Sequence, residues 1–331
     1  RITQMKKKIS VILSFYNEEK NINFAVKKLT KVLNDLKNYN YEIIFVDDCS
    51  TDNSLSLLKI NREKNPNIKI ISLTRRFGHM PGIMAGLRRS SGDAVIYIDI
   101  DLQDPPDLIP KMVSEWEKGV DVVLTVRKSR KEENLLQRFT TFWGYIILDK
   151  LSNIKITRNS GDFRLISRRV ADEYAQFSEL NPFFRFLVDW IGYSQKKLYY
   201  SRQPRTYGKS NFKLGKILLQ FFEISLSPFS DAPLRFSLLI GILTFIVYML
   251  VLIYTIVGYL NGTNLPGWTG IMVTILFIGA TQSLVLGMMA MYVAAISKEV
   301  KNRPLYITKM EYGFENNNNI SKKNNNYDIG Y

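Results

Sequence analysis

From Phe236 to Ser297 the chain contains no Asp, Glu, Lys or Arg. Few soluble folds can use so long an uncharged run, because the outer faces of their helices need polar residues. The run divides at Asn261-Gly262-Thr263-Asn264-Leu265-Pro266-Gly267, a turn-forming hinge. Each half is about 25 residues, against roughly 20 needed for a helix to cross the hydrocarbon core. The pattern predicts two membrane-spanning helices, near 236–260 and 271–296. The plainer alternative is a buried helical hairpin in a soluble core. Lys209, Lys213, Lys216 and Arg235 precede the pair, Lys298, Lys301 and Arg303 follow it, and the hinge carries no charge. Cationic flanks stay on the cytoplasmic side, so both long ends are expected there, at the inner (plasma) membrane.

The rest of the composition narrows the partners. A formal charge of +15 over 331 residues favours nucleic acid, anionic lipid or phosphate-rich substrates without choosing among them. One cysteine, Cys49, excludes an intrachain disulfide framework, and one histidine, His79, excludes a His- or Cys-rich zinc centre. The apolar run Ile9–Leu13 after the charges of Met5–Lys8 is too short for a cleavable signal.

Ahead of the uncharged stretch, short apolar runs alternate with helical patterns. Ile9–Leu13, Tyr41–Val46, Ile68–Leu73, Ala94–Ile98 and Val120–Val126 read as strands, and 20–37, 54–64, 82–90 and 107–118 as helices. The last helix opens after Asp104-Pro105-Pro106 and stops at Gly119. Such alternation predicts an α/β domain with a mainly parallel, Rossmann-like sheet. Ligands of such sheets bind beyond the carboxyl ends of the strands. Ser14–Glu19, Asp47–Asp52, Asp99–Gln103 and Arg127–Arg130 should therefore surround one crevice. Residues 213–230 have the spacing of an amphipathic helix suited to a membrane interface, or to plain packing. The Asn/Lys-rich tail from Asn316 reads as disordered. The expected division is a domain at 1–212, an interfacial helix region at 213–234, a two-helix transmembrane domain at 235–297 and a cytoplasmic C-terminal segment at 298–331.

Two acidic motifs end hydrophobic strands. Asp99-Ile100-Asp101 can share a hard divalent cation, with Gln103 adding a third oxygen and substrate phosphates completing the shell. The plainer reading is a solvated acidic turn. In Asp47-Asp48-Cys49-Ser50-Thr51-Asp52 a carboxylate can accept hydrogen bonds from a base or ribose, while Thr51 or Asp52 can simply cap the next helix.

These motifs, with Val11-Ile12-Leu13-Ser14-Phe15-Tyr16-Asn17-Glu18-Glu19, Phe77-Gly78-His79 and Asp101-Leu102-Gln103-Asp104-Pro105-Pro106, resemble family-two glycosyltransferases of GT-A fold. Gly161-Asp162-Phe163-Arg164-Leu165, Arg205-Thr206-Tyr207-Gly208-Lys209-Ser210 and Lys301-Asn302-Arg303-Pro304-Leu305-Tyr306 resemble the polyisoprenyl-phosphate branch, and the helix pair its bactoprenol type. The resemblance covers about 8–308. It implies inverting transfer of a hexose, with glucose from UDP-glucose the leading choice, onto undecaprenyl phosphate. GDP-mannose or a UDP-aminoarabinose derivative are the alternative donors.

The resemblance also implies roles. Asp99, Asp101 and Gln103 would hold Mg2+ or Mn2+. Asp101 and Asp162 would form the catalytic set. Ser14, Glu18, Asp48, Asp99, Arg205 and Ser210 would bind the donor. Arg127, Arg130 and Arg138 would meet the acceptor phosphate. It further implies a membrane-bound homo-oligomer, up to a tetramer. Cys49 stands where the family usually has Gly, Ser14 where the branch often has Pro, Met80 where Gln is common and Ile100 where Ala is usual. A processive polysaccharide synthase would carry Gln-x-x-Arg-Trp and more membrane helices. A non-catalytic basic adaptor would not need Asp99, Asp101 and Asp162 in these settings. No zinc-finger or RNP-like motif occurs, so nucleic acid is not an expected partner.

Overall fold

A computed structural model describes residues 6–127, 160–177, 191–200, 232–261 and 267–314. They belong to two compact units, one built on a sheet and one on two long helices.

The sheet unit follows the predicted alternation closely. Strands β1 (Lys8–Phe15), β2 (Asn40–Asp47), β3 (Ile68–Leu73) and β4 (Ala94–Tyr97) alternate with helices α1 (Glu19–Asn34), α2 (Ser54–Lys64) and α3 (His79–Arg89). A 3-10 turn at Pro106–Leu108 leads into α4 (Ile109–Glu117), then β5 (Val122–Arg127). β6 (Ser160–Ser167), α5 (Arg168–Gln176), β7 (Gln195–Tyr200) and β8 (Thr308–Tyr312) complete the unit. The sheet order is β7-β5-β6-β4-β1-β2-β3-β8. The β1–β2, β2–β3, β1–β4 and β5–β7 pairs are parallel; β6 runs antiparallel between β4 and β5, and β8 antiparallel to β3. This is the mainly parallel α/β architecture expected. β1 through β3 build outwards on one side, and β4 then pairs with the other side of β1. The change of direction opens a crevice at the carboxyl ends of β1 and β4.

The strands are continuous β-branched and leucine runs because helices cover both faces. Ile9, Val11, Leu13, Ile43, Phe45, Ile68, Ile70, Ala94 and Ile96 pack with Ile22, Ala25, Leu29 and Leu33 of α1 on one face. On the other, α3 lies directly on β1 and β2. Glycines one turn apart permit that approach: a Cβ on Gly82 would stand 2.1 Å from Ser14 Oγ, and one on Gly86 2.5 Å from Ile12 Cγ2. α3 begins three residues earlier than the sequence suggests, after Gly78 at φ 109°. β8 was not anticipated. It extends the sheet after the long helices, held by a Thr74 N–H bond to Ile307 O (3.0 Å), an Arg89–Glu311 ion pair (2.5 Å) and Lys59 over the Tyr312 ring (4.9 Å).

The second unit contains α6 (Ala232–Leu260) and α7 (Gly267–Val300), which lie against each other. α7 carries an 18-residue window, Phe277–Ala294, long and apolar enough to cross a membrane; the apolar stretch in α6, Leu239–Val251, is shorter among the described residues. Both helices expose large apolar side chains, among them Leu243, Phe245, Leu250, Ile275, Leu286 and Val293. In α7, Thr274, Thr281 and Ser283 each donate to the carbonyl four residues back at 2.8 Å. The expected interfacial helix at 213–230 and most of the hinge lie outside the described residues, as does the tail from Asn316.

Candidate active site

The crevice walls are built by side chains fastening one loop to the next. Asp47 Oδ1 accepts from Ser50 N–H at 2.9 Å and Oδ2 from Ser72 Oγ at 3.1 Å. Asp48 accepts from the N–H groups of Phe77 (2.7 Å) and Gly78 (2.9 Å), which pins the β3–α3 loop across the end of β2. Asp52 accepts from Glu19 N–H (3.1 Å) and Ser54 N–H (3.0 Å), joining the starts of α1 and α2. Asn17 and Thr51 exchange three more bonds between the same loops. Each acid of this motif thus has a structural task. Asp48 keeps lone pairs for a ligand, since a carboxylate accepts about four bonds.

The backbone is tight here as well. Asn17 (φ 54°), Cys49 (φ 62°) and Leu102 (φ 45°) adopt the left-handed conformation directly beyond β1, β2 and β4. At Cys49 a side chain in this conformation costs energy that a glycine would avoid.

Among the predicted donor residues, Ser14 and Glu18 are placed differently from each other. Ser14 is 4% exposed, and its Oγ is buried beneath Gly82 without a hydrogen-bond partner. Only its main chain can face the crevice. Glu18 sits at the start of α1, where Oε2 accepts from Asn21 Nδ2 at 2.6 Å.

The chemistry-bearing groups gather at the ends of β4, β5 and β6. Tyr97 pairs with Arg164 across β4 and β6, and continuing that register brings Asp99 opposite Asp162. Asp101 lies one turn on, its Oδ1 accepting from Gln103 N–H at 3.2 Å. Desolvation pushes the Asp99 carboxyl up to about 6; nearby His79 opposes this, and the charges of Asp162, Asp101 and Asp104 reinforce it. His79 Nε2 stands 3.4 Å from Asp99 Oδ1, so the histidine faces this cluster.

This donor set suits a hard divalent cation. All its atoms are oxygens, the carboxylates repel one another, and Gln103 Oε1 is a buried acceptor with no hydrogen-bond partner. Among the described residues no group of three or more His, Cys, Asp or Glu side chains could hold a metal by itself. The remaining coordination positions would fall to substrate phosphates and water.

Arg127 occupies the end of β5 but turns towards the interior of the cluster. Its Nε donates to Tyr200 Oη at 3.2 Å, and its Nη2 lies 3.7 Å from Asp104 Oδ2. Tyr200 in turn donates to Asp104 Oδ1. Burial and the Asp104 charge push the phenol up to about 12, so it remains a donor throughout the physiological range. Sequence reasoning missed Asp104 and Tyr200. The acid stood in plain view before Pro105-Pro106, but its partner comes from β7, far along the chain. Tyr200 is buried, consistent with packing, whereas Tyr199 is exposed. Arg130, Arg138, Arg205 and Ser210 lie outside the described residues.

Residues 10–175 match the family model described as glycosyl transferase family 2. An uncharacterized glycosyltransferase of Bacillus subtilis is 37% identical over 93% of this chain and 95% of its own length. A bactoprenol glucosyl transferase of Shigella phage SfII is 36% identical over 92% of this chain and 98% of its own. Glucosyl-3-phosphoglycerate synthase from Mycobacterium tuberculosis overlays with a TM-score of 0.43 and 17% identity, over 66% of this chain and 78% of that one. With acidic strand ends assembled at the crevice of a mainly parallel sheet, and with full-length relatives of this kind, the chain belongs to glycosyl transferase family 2 and is a glycosyltransferase.

Proposed function

We propose that the protein transfers a hexose from a nucleotide sugar to a polyprenyl phosphate at a membrane. The observation that carries this reading is the convergence of Asp99, Asp101, Gln103 and Asp162 at the crevice edge of β4 and β6. Asp99, Asp101 and Gln103 would hold Mg2+ or Mn2+, which supplies charge neutralisation for the donor diphosphate. Glu18, Asp48 and the Ser14 main chain would sit by the base and ribose. Asp162 would orient the acceptor or take a proton from it. The lipid phosphate is already an anion and needs little activation, so positioning and electrostatics dominate. Direct attack by that phosphate inverts the anomeric centre. Arg130 and Arg138 would meet the acceptor phosphate, with Arg205 and Ser210 over the donor phosphates. Arg127 would join the acceptor site while anchored to Asp104 and Tyr200.

The membrane reading is supported by the exposed apolar side chains of α6 and α7 and by hydroxyls that bond back into their own helix. Helices of 29 and 34 residues extend about 44 and 51 Å, beyond the roughly 30 Å hydrocarbon thickness. The cationic flanks favour a cytoplasmic catalytic domain. Full-length relatives named bactoprenol glucosyl transferases favour undecaprenyl phosphate and glucose, with UDP-glucose as donor. The test is to incubate the purified full-length chain with undecaprenyl phosphate, Mg2+ or Mn2+ and a panel of nucleotide sugars, followed by mass spectrometry of the lipid. A mass-shifted lipid identifies the donor. No lipid product with any donor overturns the reading, and a retained anomeric configuration overturns inversion.

A further inference from the structure

Arg164 has no part in the chemistry above, yet it is the largest fully buried side chain among the described residues, at 1% exposed. A guanidinium stays charged throughout the physiological range, and burying one without a carboxylate partner is costly. No ion pair to Arg164 occurs among the described residues. Its Nη2 donates to Gly161 O at 3.1 Å, its Cζ lies 5.7 Å from the centroid of the Tyr97 ring, and its Nε has no hydrogen-bond partner.

The direction of the side chain is informative. β6 runs antiparallel to β4, so Gly161 lies nearer than Arg164 to the crevice edge. The guanidinium therefore reaches along β6 towards that edge. The carbonyl it holds belongs to the peptide bond between Gly161 and Asp162. Phe163 and Leu165 both join the α1-side core, so Arg164 between them points to the opposite face, and β6 is irregular between Ser160 and Arg164, where its register with β5 shifts. A permanent cation is thus fixed beneath the edge where the charges of Asp162, Asp101 and Asp104 act on Asp99.

We infer that Arg164 is a positioning residue for glycosyl transfer: it clamps the Gly161–Asp162 peptide from below and sets a buried positive charge under the acidic cluster. The Tyr97 ring holds the guanidinium in place. This rests on the proposed function, in which Asp162 meets the acceptor. Loss of the clamp should then displace Asp162 while leaving the donor site at β1, β2 and β4 largely intact.

The test compares full-length wild type with Arg164→Met, Arg164→Lys and Tyr97→Leu. It uses the donor that gives wild-type product and reads kcat, donor KM, UDP affinity with Mn2+ and melting temperature. The Met variant should lose about a hundredfold in kcat, the scale of a small misplacement at a reacting centre. Donor KM and UDP affinity should stay within about threefold, as for an interaction felt mainly in the transition state. The Lys variant should recover part of the loss, and Tyr97→Leu should lose about tenfold in kcat. A folded Met variant with wild-type kcat overturns the inference. So does a parallel fall of kcat and UDP affinity, which marks a merely structural residue. If the Met variant does not fold, Tyr97→Leu decides, and its unchanged kcat overturns the inference. Absence of product from the wild type removes the functional reading, and this inference with it.

Discussion

The two edges of the central sheet treat their acids in opposite ways. At the amino edge, Glu42 is 1% exposed and surrounded by donors: Lys8 at 2.8 Å, Lys69 at 2.7 Å, Ser10 Oγ at 2.5 Å and Ser91 N–H at 2.8 Å. Burial alone would raise its carboxyl, but these partners prevail and hold it down to about 2. Asp121 at the start of β5 is similar: Arg169, Ser194 and Ser167 outweigh its burial and lower it. At the carboxyl edge, burial pushes Asp99 up to about 6, and the lowering by His79 is met by Asp162, Asp101 and Asp104, which raise it further. One edge is neutralised and serves stability. The other carries a surplus of negative charge that a cationic ligand can relieve. Local rules are broken where function needs it and satisfied elsewhere.

Four experiments test this contrast. Asp101→Ala should reduce lipid-linked product formation about a thousandfold, on the order of 4 kcal/mol of barrier, with an unchanged melting temperature. A thermal shift measured beside turnover separates the two effects. Glu42→Ala should do the reverse. It strands two lysines at a buried site and should lower unfolding free energy by about 3–4 kcal/mol, with normal turnover per folded molecule. Denaturant titration with an activity count checks both halves. Acidification probes the same carboxylate without mutation. The folded value of Glu42 lies below its ordinary one, so its contribution is complete above about pH 4.5 and is lost as pH falls towards 2. By linkage this is worth about 3 kcal/mol, and the slope should vanish in the Glu42 variant. Asp99→Asn should give the smallest effect. Without divalent cations it should stabilise the fold by up to about 1 kcal/mol, because it removes one of several like charges. Its melting temperature should respond less to added Mn2+ than that of the wild type.

What could be read in the sequence follows from physical locality. β1 to β5 were legible because strands covered on both faces are unbroken apolar runs, and α4 because prolines open it and Gly119 ends it. β6, β7 and β8 were not. β6 places Gly161, Asp162 and Arg164 inside a strand, β7 begins Gln-Lys-Lys, and β8 exposes Lys309, Met310 and Glu311 in a row. β7 and β8 are the edge strands, polar by design, and that hides their signal; β6 lies between β5 and β4, and its Gly, Asp and Arg interrupt the apolar run that marks an inner strand. Asp99 and Asp101 stood out because acids ending a buried strand have few other uses. The fastening of Asp48 to Phe77 and Gly78 could not be read, since the N–H groups it binds come from a loop about 30 residues later. The burial of Ser14 depends on Gly82, in another element altogether.

β8 bears on the order in which the protein is made. The outer edge of β3 has no strand partner until Thr308–Tyr312 arrives, and that segment follows both long helices in the chain. During synthesis the sheet therefore waits, one edge open, while α6 and α7 are translated. An unpaired edge strand invites the wrong partners. The nascent chain must keep β3 from pairing with a neighbour through that interval, and β3 gains its own partner only after the helices have left the ribosome.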